Sequence, residues 1–193
     1  TLWTQIGNLW SVKSMARIHI APDHSSWVDM AAKFIFENAR DALKLKERFV
    51  MALSGGSTPG EVYGALPELW EEYGLAWDHI HILWSDERCV PPDHPHSNYR
   101  MACEALIDRI DIPDENVHPM CCSDDPASSA SNYENVLRVH YPDGSWPAID
   151  LILLGMGTDG HTASLFPNSP ALEPTTRWVV PNHTPQVEHW RLT

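Results

Sequence analysis

His161 follows three glycines in the stretch Leu154-Gly155-Met156-Gly157-Thr158-Asp159-Gly160-His161, which runs on through Thr162, Ala163, Ser164, Leu165 and Phe166 to Pro167. An imidazole titrates near neutrality, so it can take and return a proton without a large pKa shift. Asp159, two residues earlier, can orient that ring or favour its charged form, or it can simply stabilise the turn. A second group of chemical interest is Ser54-Gly55-Gly56-Ser57-Thr58-Pro59. Glycines there let the backbone approach an anion, and Ser and Thr hydroxyls add donors to the free N–H groups of a helix start. The alternative is a tight strand-to-helix turn that holds nothing. The third group is Asp86-Glu87-Arg88, where a planar guanidinium can grip a phosphate or carboxylate, or can serve as a salt-bridged loop arginine.

Each of these groups follows an apolar run. Asp150-Leu151-Ile152-Leu153-Leu154 reads as a strand covered on both faces, Phe49–Leu53 as another, and Ile80–Trp84 as a third. Ala16–Ile20 alternates like a strand, and Trp178–Val180 is a short strand candidate. Residues 25–46 place Val28, Ala31, Ile35, Ala39 and Ala42 on one helical face. Thr58, Pro59 and Glu61 suggest a helix start with a capping box, Pro67 a kink or end of that helix, and Gly74 its close. Further helices are expected over about 97–110 and 127–140. Strands alternating with helices imply an α/β fold: a doubly wound, mostly parallel open sheet with helices on both faces, Rossmann-like in outline. Ligands of such sheets sit at the carboxyl ends of the strands, where all three polar groups fall.

Three familiar motifs fail on inspection. Gly155-x-Gly157-x-x-Gly160 has the letters of a dinucleotide fingerprint, but Pro167 interrupts the helix that should follow, and no acidic residue stands about twenty residues on. Gly55 and Gly60 have the outer spacing of a nucleotide P-loop, yet Glu61 occupies the lysine position, and Pro59 spoils a serine-hydrolase elbow.

Composition narrows the partners. A formal net charge of -13 over 193 residues argues against nucleic acid and anionic membranes, which require clustered Lys and Arg. No apolar run approaches a membrane span, and the first residues lack the order of a signal peptide, so a cytoplasmic setting is expected. Cys89, Cys103, Cys121 and Cys122 show no Cys-x-x-Cys pair and are expected to be reduced thiols. His94 and His96 lie in a proline-rich loop and are read as exposed histidines, with no metal assigned. Residues 1–15 form an unassigned arm, and 16–193 a single α/β domain; oligomeric state is not legible.

Taken together, Leu53–Pro59, Trp84–Pro91 with Ser97-Asn98-Tyr99, and Gly155–Pro167 closely resemble the 6-phosphogluconolactonase family over about residues 16–193. The resemblance implies hydrolysis of 6-phospho-D-glucono-1,5-lactone in the oxidative pentose phosphate pathway without a required cofactor. It implies His161 as general acid/base, Asp159 or Asp86 as its orienting carboxylate, and Ser54, Gly55, Gly56, Ser57, Thr58 and Arg88 as phosphate contacts. The related glucosamine-6-phosphate deaminases share the Ser-Gly-Gly turn and the Asp-Gly-His triplet, but they carry Asp-Glu-Tyr in place of Asp86-Glu87-Arg88. They also carry a carboxylate near the position of Phe166, which proton transfer between carbons would want. A sugar-phosphate binding module without turnover is the non-enzyme alternative. Lactonases of this kind usually continue past Arg191-Leu192-Thr193 with a helix, a strand and a lysine-bearing turn, so a missing C-terminal segment is expected and Arg191 becomes a remaining candidate phosphate contact.

Overall fold

Five consecutive apolar residues, Phe49–Leu53, form β1, and every one of them is buried, as a strand covered on both faces must be. β1 pairs in parallel with β2 (Ile80–Trp84), in register from Phe49 opposite Ile80 to Leu53 opposite Trp84. Ile82 bridges in parallel to Val117 on the far side. The computed structural model describes residues 16–141 and 146–193; the arm at 1–15 lies outside the described residues.

Four helices accompany this sheet: α1 (His24–Leu43), α2 (Ser57–Tyr73), α3 (Asn98–Ala105) and α4 (Pro126–His140). Their starts are chemically marked. Asp23 accepts from the Ser26 amide, Ser97 from that of Arg100, and Asp125 from those of Ala127 and Ser128 with Pro126 in the first turn. Each such cap is worth about 1 kcal/mol. The inward face of α1 is Ala32, Ile35, Phe36 and Ala39, with Val28, Ala31 and Ala42 at its margin. α1 packs on α2, and α4 covers the sheet face carrying Val50, His81 and Leu83, so helices flank the sheet. Trp70 of α2 is buried and stacks on Trp77, with ring centroids 4.5 Å apart.

Several elements differ from the sequence expectation. The helix after Ser54–Gly56 begins at Ser57 and takes Gly56 as its N-cap, with φ 109° and no side-chain cap. Thr58 therefore does not cap, and Glu61 does not close a capping box but meets His24 at 2.5 Å. α2 runs through Pro67 to its close at Gly74, which adopts the left-handed conformation (φ 63°). The expected 97–110 helix is α3 followed by a 3-10 turn at Ile107–Arg109. The run at Leu151–Leu154 contributes only β4 (Leu151–Ile152), paired in parallel with β1, and Ile152 and Leu154 are about half exposed. This strand is thus not covered on both faces, and among the described residues nothing pairs with its outer edge. Ala16–Ile20 belongs to no strand among the described residues, leaving Ile18 and Ile20 exposed. Alternation alone cannot supply a ladder partner.

A small antiparallel sheet, not foreseen, assembles β3 (Glu87–Arg88), β6 (Arg191–Leu192) and β5 (Pro181–Asn182) in the order β3-β6-β5. Trp178–Val180 is not a strand, although Val180 exchanges two backbone hydrogen bonds with Thr193 at the sheet's border (2.9 and 3.0 Å). Cys89 and Cys122 are joined in a disulfide, which corrects the expectation of four free thiols. The fold brings residues 33 apart in sequence to a Cα separation of 4.8 Å, a proximity no local spacing reveals. No described helix is long and apolar enough to cross a membrane.

Candidate active site

The turn after β1 is built to stay open. Tyr63 of α2 donates its hydroxyl proton to the Ser54 carbonyl (3.0 Å) and accepts from the Ser54 amide (2.9 Å), which fixes the end of β1. A Cβ at Gly55 would lie 1.8 Å from Asn98 Oδ1, so only glycine admits the Asn98 amide beside the turn. Because no side chain caps α2, the first-turn amides of Ser57 and Thr58 are left for an anion, at the positive end of the helix dipole.

The imidazole comes from the loop beyond β4. No helix follows Gly160, in keeping with the rejected dinucleotide reading. Instead the Gly157 amide donates to the His161 carbonyl (2.8 Å), the Gly160 amide to the Gly157 carbonyl (3.0 Å), and the Thr162 hydroxyl to the Gly155 carbonyl (2.8 Å). His161 Nδ1 lies 2.6 Å from Asp159 Oδ1 and donates to it, which leaves Nε2 with a free lone pair. That bond, reinforced by the His161 amide, holds the Asp159 carboxyl below the usual carboxylate range. The ring leans on Phe166, with centroids 4.5 Å apart.

Residues 54–58, Asp86, Arg88 and His161 line one cleft at the carboxyl edge of the sheet. Two predicted residues are not on its wall. Asp159 stands behind the imidazole, and Arg191 lies on β6 directly opposite Arg88 on β3. The Nε atoms of Arg88 and Arg191 are both buried without a hydrogen-bond partner among the described residues. Arg88 Nη1 donates to the His96 carbonyl (2.7 Å), and two neighbouring guanidinium groups of this kind can bracket an anion. Burial, and then the charge of Arg88, pulls Arg191 below the usual arginine value, which an anion between them would relieve. Of the two carboxylates expected beside the imidazole, Asp159 makes the contact; buried Asp86 accepts from the Ser164 hydroxyl at 2.6 Å.

Sequence reasoning overlooked the residues that hold this arrangement together. Glu87 is buried, and its carboxylate accepts from the amides of Arg88, Asn98 and Tyr99 and from the Ser97 hydroxyl. Burial nevertheless raises its pKa, as desolvation outweighs those bonds. Asn98 Nδ2 donates to the Asp86 carbonyl (2.9 Å). Ser164 ties Asp86 to the loop, receives Asn182 Nδ2 on its carbonyl (2.7 Å), and donates its amide to the Thr193 hydroxyl (3.2 Å). The Ser97-Asn98 pair stood within a recognised segment, but only the fold shows what it touches. Lys33 of α1, on the opposite wall, carried no sequence signal at all.

Such a fold and site define an α/β protein whose strand ends join a glycine turn at an uncapped helix start to an imidazole backed by a carboxylate. Residues 22–193 match the family described as glucosamine-6-phosphate isomerases/6-phosphogluconolactonase, and the chain belongs to that family. It is 44% identical over 165 residues to the 6-phosphogluconolactonase of Nostoc sp., covering 84% of this chain and 67% of that protein. With the 6-phosphogluconolactonase of Synechocystis sp. it shares 52% identity over 125 residues, 63% of this chain and 50% of the relative. The chain thus spans between half and two thirds of the length of these curated relatives. Among solved structures, the 6-phosphogluconolactonase of Thermotoga maritima superposes with a TM-score of 0.78 at 31% identity, over 91% of this chain and 75% of that one. A monomeric glucosamine-6-phosphate deaminase shares the fold with a TM-score of 0.75 at 20% identity.

Proposed function

We propose that this chain hydrolyses 6-phospho-D-glucono-1,5-lactone to 6-phospho-D-gluconate, the lactonase step of the oxidative pentose phosphate pathway. The observation that carries the reading is that the amide-rich turn at 54–58, Arg88 and His161 share one cleft, with Asp159 bonded to the imidazole from behind. The phosphate of the substrate rests on the free amides of α2 and on Arg88, with Arg191 beside it, which fixes the ring against the carboxyl edge. His161 Nε2 then takes a proton from water as the water oxygen bonds to the lactone carbonyl carbon. The carbonyl oxygen becomes a tetrahedral oxyanion, stabilised by N–H donors of the cleft. As the intermediate collapses, the bond from C1 to the ring oxygen breaks and the imidazolium returns its proton to that oxygen. Asp159 stabilises the imidazolium and keeps the ring in the tautomer that accepts at Nε2.

A test is the release of 6-phosphogluconate above the spontaneous rate of lactone opening. General acid/base catalysis is worth roughly 10²–10⁴-fold, so His161→Ala is expected to lower turnover by at least the smaller factor. Ammonia release from glucosamine 6-phosphate is expected to be absent; its appearance, or binding without lactone hydrolysis, would replace the reading. We place the reaction in the cytoplasm, where disulfides are rare, so the state of Cys89 and Cys122 in freshly isolated protein bears on that setting.

A further inference from the structure

On the sheet face covered by α4, at the opposite end of β2 from the cleft, three imidazoles converge. The ring nitrogens of His81, His118 and His140 offer one ligand atom each within 4.8 Å of one another, and each residue is half-buried. They come from three separate elements: His81 from the second position of β2, His118 from the residue after the Val117 bridge, and His140 from the last turn of α4. We propose that His81, His118 and His140 form a binding site for a borderline first-row divalent cation of the zinc class, distinct from the catalytic cleft.

Preorganisation supports this assignment. The His81 backbone is locked in the β1–β2 ladder opposite Val50. The His118 amide donates to the Ile82 carbonyl (2.9 Å), while the His118 carbonyl accepts from the Tyr133 hydroxyl (3.0 Å). The His140 carbonyl accepts from Arg48 Nη2 (3.1 Å). Three ligands on rigid, pinned backbone meet the geometric demand of a metal site better than ligands on loops do. Without an ion the cluster satisfies itself poorly. His81 Nδ1 and His118 Nε2 share a single contact at 3.3 Å, and the His140 ring has no hydrogen-bond partner among the described residues.

The donor set selects the ion. Three neutral nitrogens with no carboxylate suit zinc and its neighbours rather than magnesium or calcium, and three histidines leave a fourth position for water. Val50, Leu83 and Leu137 complete the small space between the rings and limit competition from solvent. Among the described residues, Arg48 is the fixed charge set against the cluster; its fork serves the His140 carbonyl and lies over the Tyr141 ring (5.7 Å). Its charge opposes any cation, which sets the expected affinity in the micromolar range rather than far below it. A second convergence, His94, His96 and His189, is the competing location. There His94 Nδ1 already accepts the His96 amide (3.1 Å), and His96 is exposed.

The full chain, stripped of metal, should bind Zn²⁺ with micromolar or tighter affinity when titrated against a chromophoric chelator. His118→Gln and His140→Gln should each weaken that binding at least tenfold, whereas His96→Gln should not. Imidazole ¹⁵N resonances of unsubstituted protein supply a readout independent of whether the variants fold. Zn²⁺ should shift those of His81, His118 and His140 together. Absence of micromolar binding, binding that His96→Gln abolishes, or shifts confined to His94, His96 and His189 would overturn the proposal. Lactonase activity enters none of these measurements, so failure here and failure of the proposed reaction are separable.

Discussion

Gly157 offers a way to move the His161 imidazole, the proposed proton-transfer group, without substituting it. A Cβ built there would stand 2.2 Å from His161 Nδ1, 2.3 Å from its Cε1 and 2.8 Å from Asp159 Oδ1. Its φ lies outside the left-handed region, so alanine meets no backbone objection and the whole effect falls on the ring. Restoring an ordinary contact of about 3.4 Å requires a displacement of about 1.2 Å, which breaks the 2.6 Å bond to Asp159 or swings the ring from the cleft. A misplacement of about 1 Å in a reacting group costs on the order of 10²-fold. Gly157→Ala should therefore slow turnover of the phosphorylated lactone by about 10²-fold. KM should change little, since the turn at 54–58 and both arginines are untouched. Gly155→Ala is the matched control: it lies two residues away, again outside the left-handed region, and nothing stands within 4 Å of the added methyl group. It should keep turnover within about threefold. Coupled assay of product formation, corrected for spontaneous lactone opening, measures both. If Gly157→Ala turns over like Gly155→Ala, His161 in this position is not the proton-transfer group and the proposed mechanism fails.

The idle arginine donors yield a second expectation. Arg191→Ala should raise KM for the phosphorylated lactone, and weaken competition by inorganic phosphate, about 10- to 100-fold, the range for a lost charge-assisted hydrogen bond; unchanged constants would remove it from the anion site. Glu134 of α4 is a stability probe. Its burial alone would raise its pKa, but hydrogen bonds from Arg177 and Arg138, each 2.6 Å, bring it down to about 2. A depressed carboxylate contributes stability that is complete above its unfolded value of about 4.5 and fades as pH falls toward 2. Glu134→Gln should thus destabilise by about 2 kcal/mol at neutral pH, with the gap from wild type closing across that acid window in urea titrations; a pH-independent gap would refute the ion-pair account. Thiol titration of unreduced, denatured protein should find two reactive groups, Cys103 and Cys121, and four after reduction. Four at the outset would show that Cys89 and Cys122 are not joined.

The parts of this molecule legible in the sequence were those whose physics is local. Phe49–Leu53 and Ile80–Trp84 are short apolar runs ended by polar turns, and both became strands with the expected bounds. α4 announced itself through its amphipathic spacing, although Val136 proved partly exposed. The α2 cap was misjudged because Thr58, Pro59 and Glu61 satisfy a local rule that Gly56 overrides. A glycine at φ 109° lets the chain enter the helix two residues earlier, and Glu61 meets His24 instead of the helix start. The β3-β6-β5 sheet escaped notice because two-residue strands carry no period, and β3 meets β6 across about 100 residues of sequence. The Cys89–Cys122 bond is of the same non-local kind.

That non-local layer is also what joins the two ends of the cleft. Asp86 sits beside Arg88 at the anion end, yet its carboxylate is bonded to Ser164, three residues beyond the imidazole. Ser164 is in turn held by Asn182 on β5 and by Thr193, the neighbour of β6. Asn98, which fills the space a Gly55 side chain would need, grips Asp86 from the other side. Asp86 and Ser164 therefore link the residue beside the turn, the β5–β6 strands and the histidine loop in one buried network. Buried polar networks of this kind are costly when incomplete and rigid when satisfied. Asp86 thus has a reason to be buried that does not involve touching the imidazole. Its place in the geometry is to hold the spacing between the turn at 54–58 and His161, on which the proposed reaction, with one substrate held at both ends, depends.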